Sequence, residues 1–198
     1  MVFGAAAVGE KPVRIVVIGT SGAGKSTMAR TLASALGVPH VELDALYWEP
    51  GWTPARPEVF AARANAATAG EGWVVDGNYS AVRAIVWGRA THLVWLDYER
   101  LPIMLRVIRR SFLRAVTQQP LWNGNYERWR SWFRPSHPIR WAWSQWRRRR
   151  QQLEEQLASG AWAHLSIMRL RHPREAAGAI RALLASAPPQ AARGTSRA

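Results

Sequence analysis

Apolar and polar positions along the chain alternate between two rhythms. Residues 13–18 are a short run rich in β-branched side chains that stops at Gly19, a pattern that predicts a buried strand. Met28, Leu32 and Leu36 then recur at i, i+4 and i+8. That spacing predicts a helix over 26–36, ended by Gly37 and Pro39. The alternation continues down the chain. Further strands are predicted at 41–43, 73–75, 92–96 and 163–169, and further helices at 57–69, 80–88, 101–116 and 174–184. Strands alternating with helices predict right-handed βαβ units and a parallel sheet covered on both faces.

Residues 118–137 break this rhythm. They hold Gln-Gln-Pro, Asn-Gly-Asn and Pro-Ser-His-Pro together with Trp122, Trp129 and Trp132, and read as an inserted, mobile segment. The helix expected after the insert carries Ile139, Trp143, Trp146, Leu153 and Leu157 on one stripe, with Arg150 on the same stripe. An arginine there snorkels to water or meets a buried anion. The expected organisation is an N-terminal extension over 1–11, one domain over 12–186, and a disordered tail from 187 rich in Pro, Ala, Gly, Ser and Arg.

Composition narrows the choice of chemistry. A chain of 198 residues, 48% hydrophobic, is long enough to bury a core and excludes a wholly disordered chain. It contains no cysteine, which excludes a disulfide scaffold, a cysteine nucleophile and a thiolate zinc site. No apolar run approaches the roughly 20 residues needed to cross a bilayer. The first ten residues lack the basic start and long apolar core of a signal peptide. A cytoplasmic protein without a membrane partner is expected. The formal net charge is +14, and residues 99–150 hold 13 arginines against Glu99 and Glu127. Such a field attracts phosphates, whether on nucleotides, nucleic acid or anionic lipid.

One motif gives that field a target. Gly19-Thr20-Ser21-Gly22-Ala23-Gly24-Lys25-Ser26-Thr27 matches G-x-x-x-x-G-K-[ST] between a predicted strand and a predicted helix. The glycines let successive backbone N–H groups point into one concavity, and the helix adds its N-terminal partial positive charge. In such a phosphate-binding loop (P-loop) the lysine, Lys25, reaches the β- and γ-phosphates, and the hydroxyl of Ser26 coordinates magnesium. ATP and Mg²⁺ are the expected ligands.

The chain has three aspartates, Asp44, Asp76 and Asp97, each directly after a predicted strand. In open α/β sheets ligands bind beyond the carboxyl ends of the strands, so the three are expected to share one rim with the loop. One of them should serve magnesium as the Walker B acid. Asp76 follows Trp-Val-Val and Asp97 follows Leu-Val-Trp-Leu; the pattern does not separate them. Arg106, Arg109, Arg110 and Arg114 fall on one face of the helix over 101–116. Bidentate guanidinium donors suit charge moving on phosphate oxygens. Arg147, Arg148 and Arg149 read as solvated. Trp48 and Trp52 follow Asp44 in a Pro/Gly-rich loop and are candidate walls of an acceptor pocket. The five histidines sit singly, as structural or solvated residues rather than a metal cluster.

The P-loop, the segment from His40 to Trp52, Trp73-Val-Val-Asp-Gly-Asn-Tyr79 and Leu93-Val-Trp-Leu-Asp97 resemble the bacterial DNA topology modulation protein family, which is similar to adenylate kinase in fold. The likeness runs from about residue 13 to about 184. It implies an α/β P-loop NTPase fold, with a five-stranded parallel sheet, helices on both faces and a lid-like insertion at about 118–137. It implies a nucleoside-triphosphate site built on Gly19, Ser21, Gly22, Ala23, Gly24, Lys25, Ser26 and Thr27. It places Asp76 at the magnesium position beside Ser26, and Asp44 where related kinases bind the phosphate acceptor. Arg106 and Arg110 are the best positional matches to the arginines that clamp nucleotide, and basic residues such as Arg150 lie near the lid hinge. The expected activity is a Mg-dependent transfer of the γ-phosphoryl group of ATP to a small molecule or nucleotide, with weak, non-specific nucleic-acid contact. The alternatives are a nucleic-acid-binding ATPase that modulates DNA topology and a nucleotide-binding regulatory module with negligible turnover.

Overall fold

The computed structural model describes residues 13–117, 120–126 and 138–186. The expected N-terminal extension, the tail and most of the insertion, including Trp129, Trp132 and His137, lie outside the described residues. Five strands form the central sheet: β1 (Arg14–Gly19), β2 (His40–Glu42), β5 (Trp73–Asp76), β6 (His92–Leu96) and β7 (Ser166–Leu170). Their order is β2-β5-β1-β6-β7, and every pairing is parallel.

The apolar run of β1 explains why this strand lies at the centre. Ile15, Val16, Val17 and Ile18 are all fully buried, and alternate residues face opposite layers. Ile15 and Val17 join Val74, Val94 and Leu96 under α1 (Lys25–Leu36), α5 (Arg100–Thr117) and α7 (Ala176–Ala185). Val16 and Ile18 join Val75, Leu93 and Trp95 under α3 (Pro57–Ala67), α4 (Arg83–Arg89) and the Leu153 turn of α6 (Pro138–Ala158). Each such aliphatic side chain contributes about 1.5–3 kcal/mol of burial free energy.

The parallel register brings the chemistry to one rim. Val17 pairs with Asp76, Glu42 with Asp76, and Gly19 with Leu96. The carboxyl ends of the strands therefore share an edge, and the chain leaves β1 there for the loop that opens α1. The sheet reverses its winding about β1, which is where open α/β sheets form a crevice.

Local structure departs from the sequence expectations around Asp44. The second strand ends at Glu42, and a short helix, α2 (Leu43–Tyr47), takes over. Asp44 lies in the first turn of that helix rather than at a strand end. A two-residue hairpin follows, β3 (Trp48–Glu49) with β4 (Thr53–Pro54). Residues 163–165 are turn rather than strand, closed by bonds from Ala163 N to Gly160 O and from Leu165 N to Trp162 O.

Gly22 fixes how the P-loop meets α5. Its φ is +86°, and a Cβ there would lie 2.4 Å from Val107 Cγ2 and 3.0 Å from the Ile103 carbonyl oxygen. Gly22→Ala adds left-handed backbone strain to overpacking against a buried helix. The variant is expected to lose about 1–3 kcal/mol of stability in denaturant unfolding. A midpoint equal to wild type would contradict this packing.

Candidate functional site

The P-loop delivers the start of α1 to the rim. Gly24 is the N-cap residue of α1, with φ +95°, and no side chain caps the helix. Its first turn also carries no acidic residue, so the helix end keeps its affinity for an anion. Lys25 folds back and donates from Nζ to the Thr20 carbonyl at 3.3 Å. Burial pushes its pKa below the ordinary value; Asp44 and then Asp76 pull it back up, and Arg110 and Arg149 add to the depression.

Asp76 is buried at the end of β5, 2% exposed. Its Oδ2 lies 2.9 Å from His40 Nε2. Burial raises its pKa above the usual carboxylate value, while the His40 contact, Lys25 and the Ser26 hydroxyl lower it. Ser26 and Asp76 thus face each other beside Lys25, a hydroxyl and a carboxylate of the hard-oxygen type that magnesium takes when it keeps most of its water. Gly77 makes this corner possible. A Cβ there would lie 2.8 Å from Leu43 Cβ, and its φ is +129°.

Asp97 has a different environment. It is 5% exposed, and its Oδ2 accepts from Arg169 Nε at 2.8 Å and Nη2 at 2.6 Å. Arg150 Nη2 approaches the same oxygen at 3.1 Å. The residue pattern left Asp76 and Asp97 equivalent, and the structure separates them: Asp76 faces Ser26 and Lys25, whereas Asp97 ties α6 to β7.

Asp44 is joined to the site through Tyr79, whose hydroxyl donates to Asp44 Oδ1. Burial first, and then the Asp44 charge, raises the Tyr79 pKa, so the phenol stays protonated and remains a donor. Tyr47, Phe60 and Tyr79 stack beneath, with ring centroids 4.7–5.2 Å apart. This buttress holds the Asp44 carboxylate next to Lys25.

The described part of the insertion fastens onto the loop that follows α2. Asn125 donates from Nδ2 to the Glu49 carbonyl at 2.9 Å and accepts at Oδ1 from the Trp52 N–H at 2.8 Å. Asn123 Nδ2 donates to the Ala45 and Trp48 carbonyls. Trp122 Nε1 donates to Glu42 Oε2 at 2.8 Å. Trp48, Trp52 and Trp122 run edge to face. Residues 121–126 therefore hold the 45–52 loop in place beside Asp44.

The arginines divide. Arg110 Nη2 donates to Ser21 Oγ in the P-loop at 2.9 Å. Arg106 is exposed and lies over Tyr98, with Cζ 6.0 Å from the ring centroid. Arg150 is committed to Asp97 and stacks on Trp146 at 5.2 Å. Its neighbour Arg149 is the one whose charge acts on Lys25 and Arg83, and Tyr79 acts on it in turn. Arg149 read as solvated from the sequence and is exposed in the structure, yet its charge reaches Lys25 and Arg83. His40, Tyr79 and Arg83 were also missed. Their only signal is proximity in sequence to the strand ends at Glu42 and Asp76. Among the described residues no group of three metal-ligating side chains forms a separate metal cluster.

The raised Asp76 pKa predicts a pH dependence. The folded carboxyl holds its proton to higher pH than the unfolded one, so ionised Asp76 costs stability at neutral pH and costs nothing below its ordinary value of 3.8. Asp76→Asn keeps a polar partner for His40 and removes the charge. In EDTA it is expected to melt above wild type at neutral pH, with the gap closing as pH falls toward 3.8. A gap independent of pH, or a variant less stable at neutral pH, would contradict a buried charge at Asp76.

Comparison with solved structures agrees with this architecture. A protein of Chloroflexus aurantiacus provisionally assigned as a kinase superposes with a TM-score of 0.51 at 14% identity, covering 90% of this chain and 100% of that one. The shikimate kinase of Acinetobacter baumannii, solved with shikimate, gives a TM-score of 0.51 at 16% identity, covering 88% of this chain and 92% of that one. The chain has a P-loop kinase fold. No family model and no curated protein matches it. No helix among the described residues is long and apolar enough to cross a membrane.

Proposed function

We propose that this chain is a phosphotransferase that moves the γ-phosphoryl group of ATP, with Mg²⁺, to a small-molecule or nucleotide acceptor. The observation that carries the reading is the convergence on one rim of three parts: the Lys25 ammonium, the Ser26–Asp76 pair, and an Asp44 carboxylate held by Tyr79. A P-loop alone serves any nucleotide binder. A second, buttressed carboxylate beside the P-loop lysine is what a transferase needs in order to position a hydroxyl.

In this reading the loop N–H groups from Ser21 to Thr27, Lys25 and Arg110 hold the phosphates. Ser26 and Asp76 would hold the magnesium, and the ion would supply neutralisation of phosphate charge. Asp44 orients the acceptor hydroxyl and takes its proton as the acceptor oxygen bonds to the γ-phosphorus and the bridge to the β-phosphate breaks, releasing ADP. Arg149 faces the developing charge from α6. Arg106 and Arg150 play at most supporting parts, Arg150 by anchoring α6. The residue-level resemblance to the topology modulation family, through Leu43-Asp-Ala-Leu-Tyr-Trp48 and Asp76-Gly-Asn-Tyr79, supports the same site.

The test is transfer of label from Mg·[γ-³²P]ATP to a panel of nucleoside monophosphates and hydroxylated metabolites. Label on an acceptor, abolished in Asp44→Asn with Mg·ATP affinity retained, is expected. Label released only as inorganic phosphate, in an Asp44-independent way, would contradict the transferase.

A further inference from the structure

We propose that His40 is a positioning residue of the magnesium site: its imidazole Nε2–H holds the Asp76 carboxylate in the orientation in which that carboxylate serves the ion beside Ser26. The proposal rests on the phosphotransferase reading and deepens its magnesium half.

The sheet brings the two side chains together. β2 and β5 are parallel, with His40 beside Val74 and Glu42 beside Asp76. Side chains two apart on a strand share a face, so His40, Glu42, Val74 and Asp76 lie on one side of the sheet. His40 is then the diagonal neighbour of Asp76, a span that a long or ring side chain can cross. The contact is made, with Asp76 Oδ2 2.9 Å from His40 Nε2. A carboxylate accepts only, so Nε2 carries the proton and donates. The His40 side chain is 15% exposed and that of Asp76 3%, which leaves water little chance to replace the bond.

Asp76 needs this donor for two reasons. Rotation about the Cβ–Cγ bond of an aspartate is soft, with broad minima. The end of β5 therefore fixes the Asp76 backbone without fixing its oxygens, and a bond to one oxygen sets the plane of the group. The second reason is charge. The same register puts Glu42 directly beside Asp76, and like charges at such positions repel. Burial makes the Asp76 carboxyl harder to ionise and Glu42 adds to this; the His40 bond is the largest influence in the other direction, ahead of Lys25 and Ser26. Glu42 is turned to other donors, Trp122 Nε1 at 2.8 Å and Arg30 Nη2 at 3.6 Å. His40 Nδ1 lies 3.9 Å from Glu42 Oε1, so the ring faces each acid with one nitrogen.

Lys25 and Ser26 do not replace His40 in this part. With nucleotide and ion bound, the proposed function turns Lys25 to the phosphates and the Ser26 hydroxyl to the ion. His40 belongs to β2, outside the P-loop, and its hold on Asp76 is compatible with both. Hydrogen bonds that orient a metal-binding side chain are worth about 10–100-fold in metal affinity.

The experiment titrates Mg²⁺, at fixed pH, into the full chain saturated with a non-hydrolysable ATP analogue. It reads the concentration that gives half of the magnesium-induced rise in melting temperature. His40→Phe keeps the volume of a ring and removes the donor. It is expected to raise that concentration by about 10–100-fold, with affinity for the analogue in EDTA within about twofold of wild type. His40→Gln, whose side-chain amide can donate, should stay within about threefold of the wild-type concentration. His40→Ala decides the matter if His40→Phe does not fold. A donor-less variant that lowers the melting temperature without nucleotide but keeps the wild-type magnesium midpoint would overturn the proposal, and so would His40→Gln shifted as far as His40→Phe. Asp76→Asn separates the two levels of the argument: a wild-type magnesium midpoint in Asp76→Asn, or no magnesium-induced rise in the wild-type chain, overturns the magnesium reading beneath the proposal.

Discussion

Lys25→Ala is expected to lower Mg·ATP affinity by at least a hundredfold, about 2.8 kcal/mol, while the protein stays folded. Among the described residues the ammonium makes one hydrogen bond, to the Thr20 carbonyl at 3.3 Å. Burial outweighs Asp44 and Asp76 and holds its pKa below the ordinary value. Removing it therefore takes little from the nucleotide-free fold and takes a charge-assisted contact from the phosphates. Isothermal titration with a non-hydrolysable ATP analogue and magnesium checks the first half, and thermal unfolding without nucleotide checks the second. An affinity within about threefold of wild type would remove the P-loop assignment.

Asp76→Asn and Asp97→Asn are expected to differ in kind. Asp76 faces Ser26 and Lys25 at the rim, so its loss should abolish magnesium-dependent turnover in a protein at least as stable as wild type. Asp97 binds Arg169 and Arg150. Its loss should cost about 1–3 kcal/mol of stability by removing the buried carboxylate the two arginines share and leaving them Glu154, and should leave the magnesium requirement of the remaining activity unchanged. Turnover titrated with Mg²⁺ in each variant, beside its unfolding curve, separates the two. An elevated magnesium requirement in Asp97→Asn with a normal one in Asp76→Asn would reverse the assignment.

The fold was legible because its determinants are local and repeated. The β-branched run of β1, the glycine that ends it and the G-x-x-x-x-G-K-[ST] spacing each state a conformation that only a few neighbours can alter. The five strands and the helices between them follow from that rhythm. The hairpin at 48–54 and helix α2 did not, since α2 spans five residues and the hairpin strands two each, too few for a period to show. The P-loop half of the site was equally legible. The part around Asp44 was not, because Tyr79 and Arg83 acquire their places from tertiary contacts: a three-ring stack and a Trp87 face. Arg150 shows the limit most clearly. The apolar stripe of its helix left two outcomes open, water or a buried anion. That anion is Asp97, a side chain of the protein itself.

The basic segment gives the central claim its sharpest alternative, since 13 arginines over residues 99–150 would suit a nucleic-acid backbone as well as a nucleotide. A backbone binder spreads its contacts, and its log affinity falls with log salt by about 0.9 per phosphate neutralised on duplex DNA. The deciding measurement is ADP release by the full chain with Mg·ATP at physiological salt, with the acceptor panel and, separately, with duplex DNA. The account predicts turnover that depends on a small acceptor, is lost in Lys25→Ala and is unchanged by DNA. Turnover stimulated by DNA, with DNA binding that persists at that salt and no response to any small acceptor, would contradict it.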